Sequence, residues 1–275
     1  MKNKILHSLS LLSLGLLHAC GGGGGGGGSP MAFSPAGAGA AAAPVAANAD
    51  SGAVSAPFVR GARARYQLLG SVAQSFGLLT RSEQAASGAM TRLDDTTLTG
   101  ASITKDIAGD ASFALGRWVA GTVTRTSGAE TLTGADNRAY HYIALNELKA
   151  LPASGNTTCD AGVFTSPTYV GGGSGGMADS GAATGSATLS FGSEGAAVAG
   201  ALKVAAGEAA GTVAFDAKVQ TPSSMAITGN FLSGGAGTGI TLGDHGGGAY
   251  AIAVSYAATL ASGARYEGIA KFRCK

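Results

Sequence analysis

The sequence predicts a mainly β protein: an antiparallel up-and-down β-barrel of about eight or nine strands, with a β-sandwich as the alternative, preceded by a disordered Gly/Ala-rich tether. Three observations carry that expectation. From about residue 112 the apolar side chains recur with period 2, the mark of half-buried strands. Turn formers interrupt those runs at short intervals, so neighbouring strands should connect antiparallel. Small residues stand at many inward positions, among them Ala217, Gly229, Gly268 and Ala270, as a narrow tapering interior requires.

The chain opens with Lys2 and Lys4, an apolar run from Ile5 to Leu17, and then His18-Ala19-Cys20 ahead of eight glycines. A positive start, a short apolar run and a small residue before the cut read as a secretory signal over residues 1–19. The run is shorter than the roughly 20 residues a membrane-spanning helix needs. Residues 20–57 are Gly, Ala, Ser and Pro with almost no large apolar side chain. Such a stretch buries too little surface to offset its ordering entropy and reads as a flexible tether with a reach of about 30 Å.

Residues 58–111 read as a mixed segment packed on, or leading into, the barrel. Leu68, Leu69, Val72 and Phe76 fit a helical face, Thr96 to Thr99 a short strand, and Asp106 to Asp110 a turn. Arg60, Arg63 and Arg65 form a small basic run, read as a solvated face. Residues 112–275 are assigned to the barrel. Its candidate strands are Arg117–Arg125, Ala139–Leu145, Thr157–Phe164, Ser186–Phe191, Val198–Val204, Thr212–Val219, Met225–Phe231, Tyr250–Tyr256 and Tyr266–Cys274. In the sixth, Val213, Phe215, Ala217 and Val219 share one face. In the seventh, Met225, Ile227, Gly229 and Phe231 do. Gly192–Gly195, Gly207-Glu208, Pro222-Ser223, Gly243–Gly246 and Ser262-Gly263 supply the turns.

Leu17, Ala19 and Cys20 resemble the lipobox of bacterial lipoproteins. The resemblance implies a diacylglyceryl thioether on Cys20, cleavage before it and N-acylation, and Gly21 points to the outer membrane. Two or three acyl chains make such an anchor effectively permanent. With Cys20 used for lipid, Cys159 and Cys274 remain as an even pair in an oxidising compartment, where a disulfide is expected. It would close a loop of about 115 residues and contribute about 4 to 5 kcal/mol by the chain-entropy account. It would also bring a late strand beside an early one, as barrel closure demands. Losing Lys2 and Lys4 leaves 16 basic and 16 acidic side chains, so the mature chain is near neutral and has no basic patch for nucleic acid.

The order lipobox, polyglycine, Gly-rich antiparallel β domain resembles Gram-negative surface lipoproteins of the transferrin-binding protein B and factor H-binding protein type, which implies a C-terminal eight-stranded barrel. Gly116-Arg117-Trp118, Gly121-Thr122-Val123, His141-Tyr142, Leu151–Gly155, Ser166-Pro167-Thr168 and Leu189-Ser190-Phe191 are together similar to the C-terminal region of some FecR-type proteins. That second likeness implies a fold and transfers no function.

Candidate chemistry is sparse. Gly173-Ser174-Gly175 lacks the strand-to-helix setting of a nucleophile elbow. His245 lies in a glycine-rich turn and His141 on a strand, where it reads as partly exposed. Arg117 and Trp118 are a candidate surface recognition pair, since Trp and Arg are favoured at binding hot spots, with core packing as the alternative for Trp118. The expectation is therefore a monomeric lipid-anchored envelope protein whose barrel binds a host protein or nutrient carrier, through sites for which Arg117, Trp118 and His245 are candidates. The alternative is a structural or assembly lipoprotein of the periplasm. No enzymatic activity, cofactor or metal is expected.

Overall fold

The period-2 runs mark most strands of the second half, but not the one over Gly237–Gly246, where only a turn was expected. In the computed structural model, which describes residues 49–70, 73–173 and 180–275, the first half is also built from strands joined by turns and loops. The elements there are β1 (Gly52–Val54), β2 (Ala64–Gly70), β3 (Ala73–Leu78), β4 (Ser82–Gln84), β5 (Met90–Leu93), β6 (Thr96–Asp110), β7 (Phe113–Arg125), β8 (Gly128–Thr133) and β9 (Tyr140–Asn146). The second half holds β10 (Gly155–Thr158), β11 (Val163–Phe164), β12 (Thr168–Gly171), β13 (Ala182–Gly192), β14 (Gly195–Ala206), β15 (Ala209–Val219) and β16 (Ala226–Gly229). A 3-10 turn (Phe231–Ser233) then leads to β17 (Gly237–Gly246), β18 (Ala249–Thr259) and β19 (Arg265–Cys274). The expected signal peptide and Cys20, and the tether as far as residue 48, lie outside the described residues. Within the rest of the expected tether, β1 pairs in parallel with β6, so the fold begins ahead of residue 58.

Two curled sheets stand back to back with a third in front. The first runs β3-β2-β9-β7-β6-β5-β4, with β8 paired to β7. A second curl, β16-β17-β18-β19 with β11 and β12 on its last strand, joins the first at the Asn146–Asp244 pair. A separate four-stranded sheet runs β10-β13-β14-β15. Its inner face (Leu189, Val198, Leu202, Val213, Phe215, Val219) packs on Ile240, Ile252, Val254, Tyr256 and Phe272 of β17–β19. Full burial of each such side chain contributes about 1.5–3 kcal/mol.

The opposite face of β17–β19 is also buried, against Phe113, Leu115, Ile143, Leu145 and Leu69 of the first curl. A central sheet covered on both sides explains the composition. Large residues fill its front face, while Gly239, Gly243, Ala253, Ser255 and Ala257 keep its back face thin enough for the first curl to approach. A methyl group at Gly243 would lie 2.5 Å from the Leu145 Cδ1. The concave side of the first curl holds a third core of Phe58, Tyr66, Leu68, Leu93, Trp118, Tyr140 and Tyr142.

The chain is mainly β and antiparallel, as the periodicity predicts, but the ladder does not close into a barrel. At one seam Cys159 bridges Cys274, and Thr158 and Lys275 exchange both backbone hydrogen bonds at 2.9 Å. At the other, β15 has only β14 as a ladder partner among the described residues. The strand that should meet it, β16, is four residues long and stops at Gly229, whose φ of 60° turns the chain away. Its phase is also opposite to expectation: Ala226 faces the front core, and Ile227 points outward on the other face.

Four other expectations change. Leu68 and Leu69 belong to a hairpin strand with both faces buried, not a helix, and Val72 lies outside the described residues. Asp106 to Asp110 continues β6 through a bulge at which Asp106 takes φ 57°, and the turn follows Asp110. Gly243–Gly246 ends β17, and the reversal falls at Gly247-Gly248. Thr157–Phe164 is broken into β10 and β11 around the cysteine bridge.

Glycines opposite aromatic rings recur across the ladders. Gly70 faces Tyr140, Gly116 faces Tyr142, Gly200 faces Phe215 and Gly268 faces Tyr256. In each case an added Cβ would overlap the ring or its hydroxyl. The missing side chain is the slot in which the ring lies.

Candidate functional site

The recognition pair Arg117 and Trp118 is not on the surface. Trp118 is fully buried, donates its indole N–H to the Met90 carbonyl at 2.7 Å and packs on Tyr142. Arg117, on the opposite face of β7, is buried with Nε 2.9 Å from an Asp106 carboxylate oxygen. Asp106 also accepts the backbone N–H and hydroxyl of Ser166. The positive φ at Asp106 is thus the bend that turns its carboxylate toward Arg117 and the segment ahead of β12. Both residues hold the fold together.

His245 does reach a cleft. The end of β17, the β6–β7 turn and the segment before β2 surround a hollow of about 610 Å³ lined by Val59, Gly61, Asp110, Ser112, Asn146, Asp244 and His245. Asn146 shapes it by accepting the Gly61 N–H at 2.7 Å and donating to the Val59 carbonyl at 3.1 Å. A neighbouring hollow of about 340 Å³ shares Gly61, Asn146 and Asp244 and adds Arg63, Glu147 and Lys149. Glu147 there is buried between Arg63 at 2.6 Å and Arg65 at 3.2 Å.

The order of groups in the first hollow defines its chemistry. Ser112 donates its hydroxyl to Asp110 at 2.5 Å, and its Oγ lies 2.6 Å from His245 Nδ1. With the serine proton given to the carboxylate, Nδ1–H is the donor to Ser112 and Nε2 carries the lone pair. Burial pulls the Asp110 carboxyl upward, but the two bonds from Ser112, together with His245 and the Phe113 N–H, outweigh it and hold it below its usual value. Burial, with help from Lys271, pushes the His245 imidazole below its usual value, so it is neutral at physiological pH. In a hydrolase triad the histidine stands between acid and serine. Here the serine stands between them, and its oxygen is a structural acceptor.

More ionisable groups lie between the back-to-back curls. His141 is fully buried rather than partly exposed, with Nδ1 and Nε2 each 2.8 Å from the hydroxyls of Thr165 and Thr168. Burial, then Arg117, lowers its pKa well below the ordinary range. Gln67 crosses the layer to donate to Thr241 at 2.6 Å. Lys271 stands 4.4 Å from the centroid of the Phe113 ring, its pKa lowered mainly by burial. Glu267 is buried on β19 with Oε2 unpartnered among the described residues, and burial raises its carboxyl to about 7.

Sequence reading missed Glu267, Lys271 and the Asp110–Ser112–His245 chain. A signal for the first two exists: they flank Ile269 on one face of a strand whose other face, Tyr266 to Cys274, is apolar, which marks a strand buried on both sides. Cys159 and Cys274 form the expected disulfide. Ser174 lies outside the described residues, and no cluster of metal-ligating side chains occurs among those described. Comparison with family models, curated proteins and solved structures finds no match for this chain.

Proposed function

We propose that the chain is a lipid-anchored envelope protein that displays its β platform to a protein or nutrient-carrier partner. The observation that carries the reading is the Cys159–Cys274 disulfide. It fits an oxidising compartment and leaves Cys20, at the end of the apolar run, as the one cysteine outside the pair. The layered build supports a recognition role. A platform buried on both faces of its central sheet and stapled near its C-terminus offers rigid edges and turns for binding.

The test is expression of the wild-type and Cys20→Ala chains in a Gram-negative host. The wild type should fractionate with the outer membrane and the variant should be soluble in the periplasm. Protease treatment of intact cells should remove the β platform. A variant that stays membrane-bound would overturn the anchor. Full protection of the platform would overturn surface display and favour an assembly role inside the periplasm.

A further inference from the structure

One flank of the molecule carries an unguarded strand edge. Among the described residues β3 has β2 as its only ladder partner, and its residues Ala73 to Leu78 include no charge. Sheet edges are usually defended by charge, as β15 is by exposed Asp216 and Lys218. Among the described side chains of β3, Phe76 and Leu78 are exposed, at 43% and 45%.

Register fixes where they point. Phe76 pairs with Gln67, whose side chain reaches Thr241 on the facing sheet, so Phe76 and Leu78 project toward the gap between the layers. From the other wall, Ile227 pairs with Gly239 and shares the back face of β17. Leu232 on the 3-10 turn is 61% exposed, and Gln74 donates to the carbonyl of its neighbour Phe231 at 3.0 Å. Four of the five large apolar side chains exposed among the described residues therefore lie on β3, β16 and the 3-10 turn, the elements that flank this gap.

Resting on the display reading above, we infer that β3 takes up an extended segment of a partner protein as an added antiparallel strand, with alternate apolar side chains entering this gap and an acidic residue at its leading end. Unpaired backbone groups beside apolar side chains suit a strand, since a helix has no free N–H or C=O to offer along its length. The charge follows from Arg60. It is exposed beside the Leu78 end, its guanidinium reaches the Leu79 carbonyl at 3.3 Å, and no carboxylate pairs with it among the described residues. A second copy pairing β3 to β3 would set Arg60 against Gly70 to Gln74, which contains no acid. The foreign segment fits better than self-association.

The experiment uses full-length protein and a fluorescein-labelled heptapeptide of alternating valine and threonine led by aspartate, followed by anisotropy. Saturable binding is expected. It should weaken at least about tenfold when alternate peptide amides are N-methylated, when lysine replaces the leading aspartate, and in Phe76→Lys. Leu78→Lys gives a second variant, and far-UV circular dichroism checks that both retain the fold. No saturable binding, or equal binding of all peptides and variants, overturns the inference. So does sedimentation showing a wild-type dimer that Phe76→Lys converts to monomer. Membrane release of wild-type protein would strike the anchor reading alone, because peptide binding in solution does not depend on the lipid.

Discussion

Glu267 should make stability depend on pH in a way that one substitution removes. Its carboxyl sits between the two back-to-back curls, 6% exposed, with one oxygen unpartnered among the described residues, and its pKa is raised from 4.5 to about 7 by burial, partly opposed by Arg265. In the unfolded chain the group ionises as pH rises through about 4.5. In the folded chain it keeps its proton until about 7. Between those values the folded state binds more protons, so stability falls as pH rises and levels off above about 7. At about 1.4 kcal/mol per pH unit, the loss from this group is about 3 kcal/mol. Glu267→Gln keeps the shape and removes the ionisation. Urea unfolding at pH 5 and pH 8, under oxidising conditions, should find the variant gaining about 2–3 kcal/mol relative to wild type at the higher pH. His245 and Lys271 contribute their own pH terms, but these are common to both proteins and cancel in the difference. Parallel stability curves for the two proteins, or a variant less stable at pH 8, would refute the placement of Glu267.

Other substitutions test the packing. Gly116→Ala places a methyl against the Tyr142 hydroxyl, whose oxygen accepts the Met90 N–H at 3.1 Å, and should cost about 1–3 kcal/mol in chemical unfolding. Asn146→Ala removes both bonds that shape the His245 cleft. It should cost about 1–3 kcal/mol and speed amide exchange at Gly61. Replacing Cys159 and Cys274 together by Ser should lower stability by about 2–5 kcal/mol, with the largest gain in amide exchange at Thr158 and Lys275.

The sequence was most legible where one face of a strand meets solvent. In β13 and β15, Leu189, Phe191, Val213 and Phe215 alternate with exposed neighbours, and period 2 locates the strands and their hairpins. It was least legible where both faces are covered. Leu68-Leu69 looks helical only because each residue has its own core. The same two-sided burial hid the interlayer groups: His141 reads as partly exposed, and Glu267 and Lys271 lie on the strand face opposite the apolar run from Tyr266 to Cys274. Barrel closure failed for a local reason: β16 is too short and too early in its turn to complete a ladder with β15. His245 could be found by its glycine-rich surroundings, but its partners Asp110 and Ser112 are 133 or more residues away and share no motif with it.

Mass spectrometry of the N-terminal peptide from the outer-membrane fraction tests the central claim most directly. The lipid-anchor account predicts that the mature chain begins at Cys20, with a diacylglyceryl group on its sulfur and an acyl group on its nitrogen. A mature chain that starts elsewhere, or a Cys20 that alkylates as a free thiol, would contradict it.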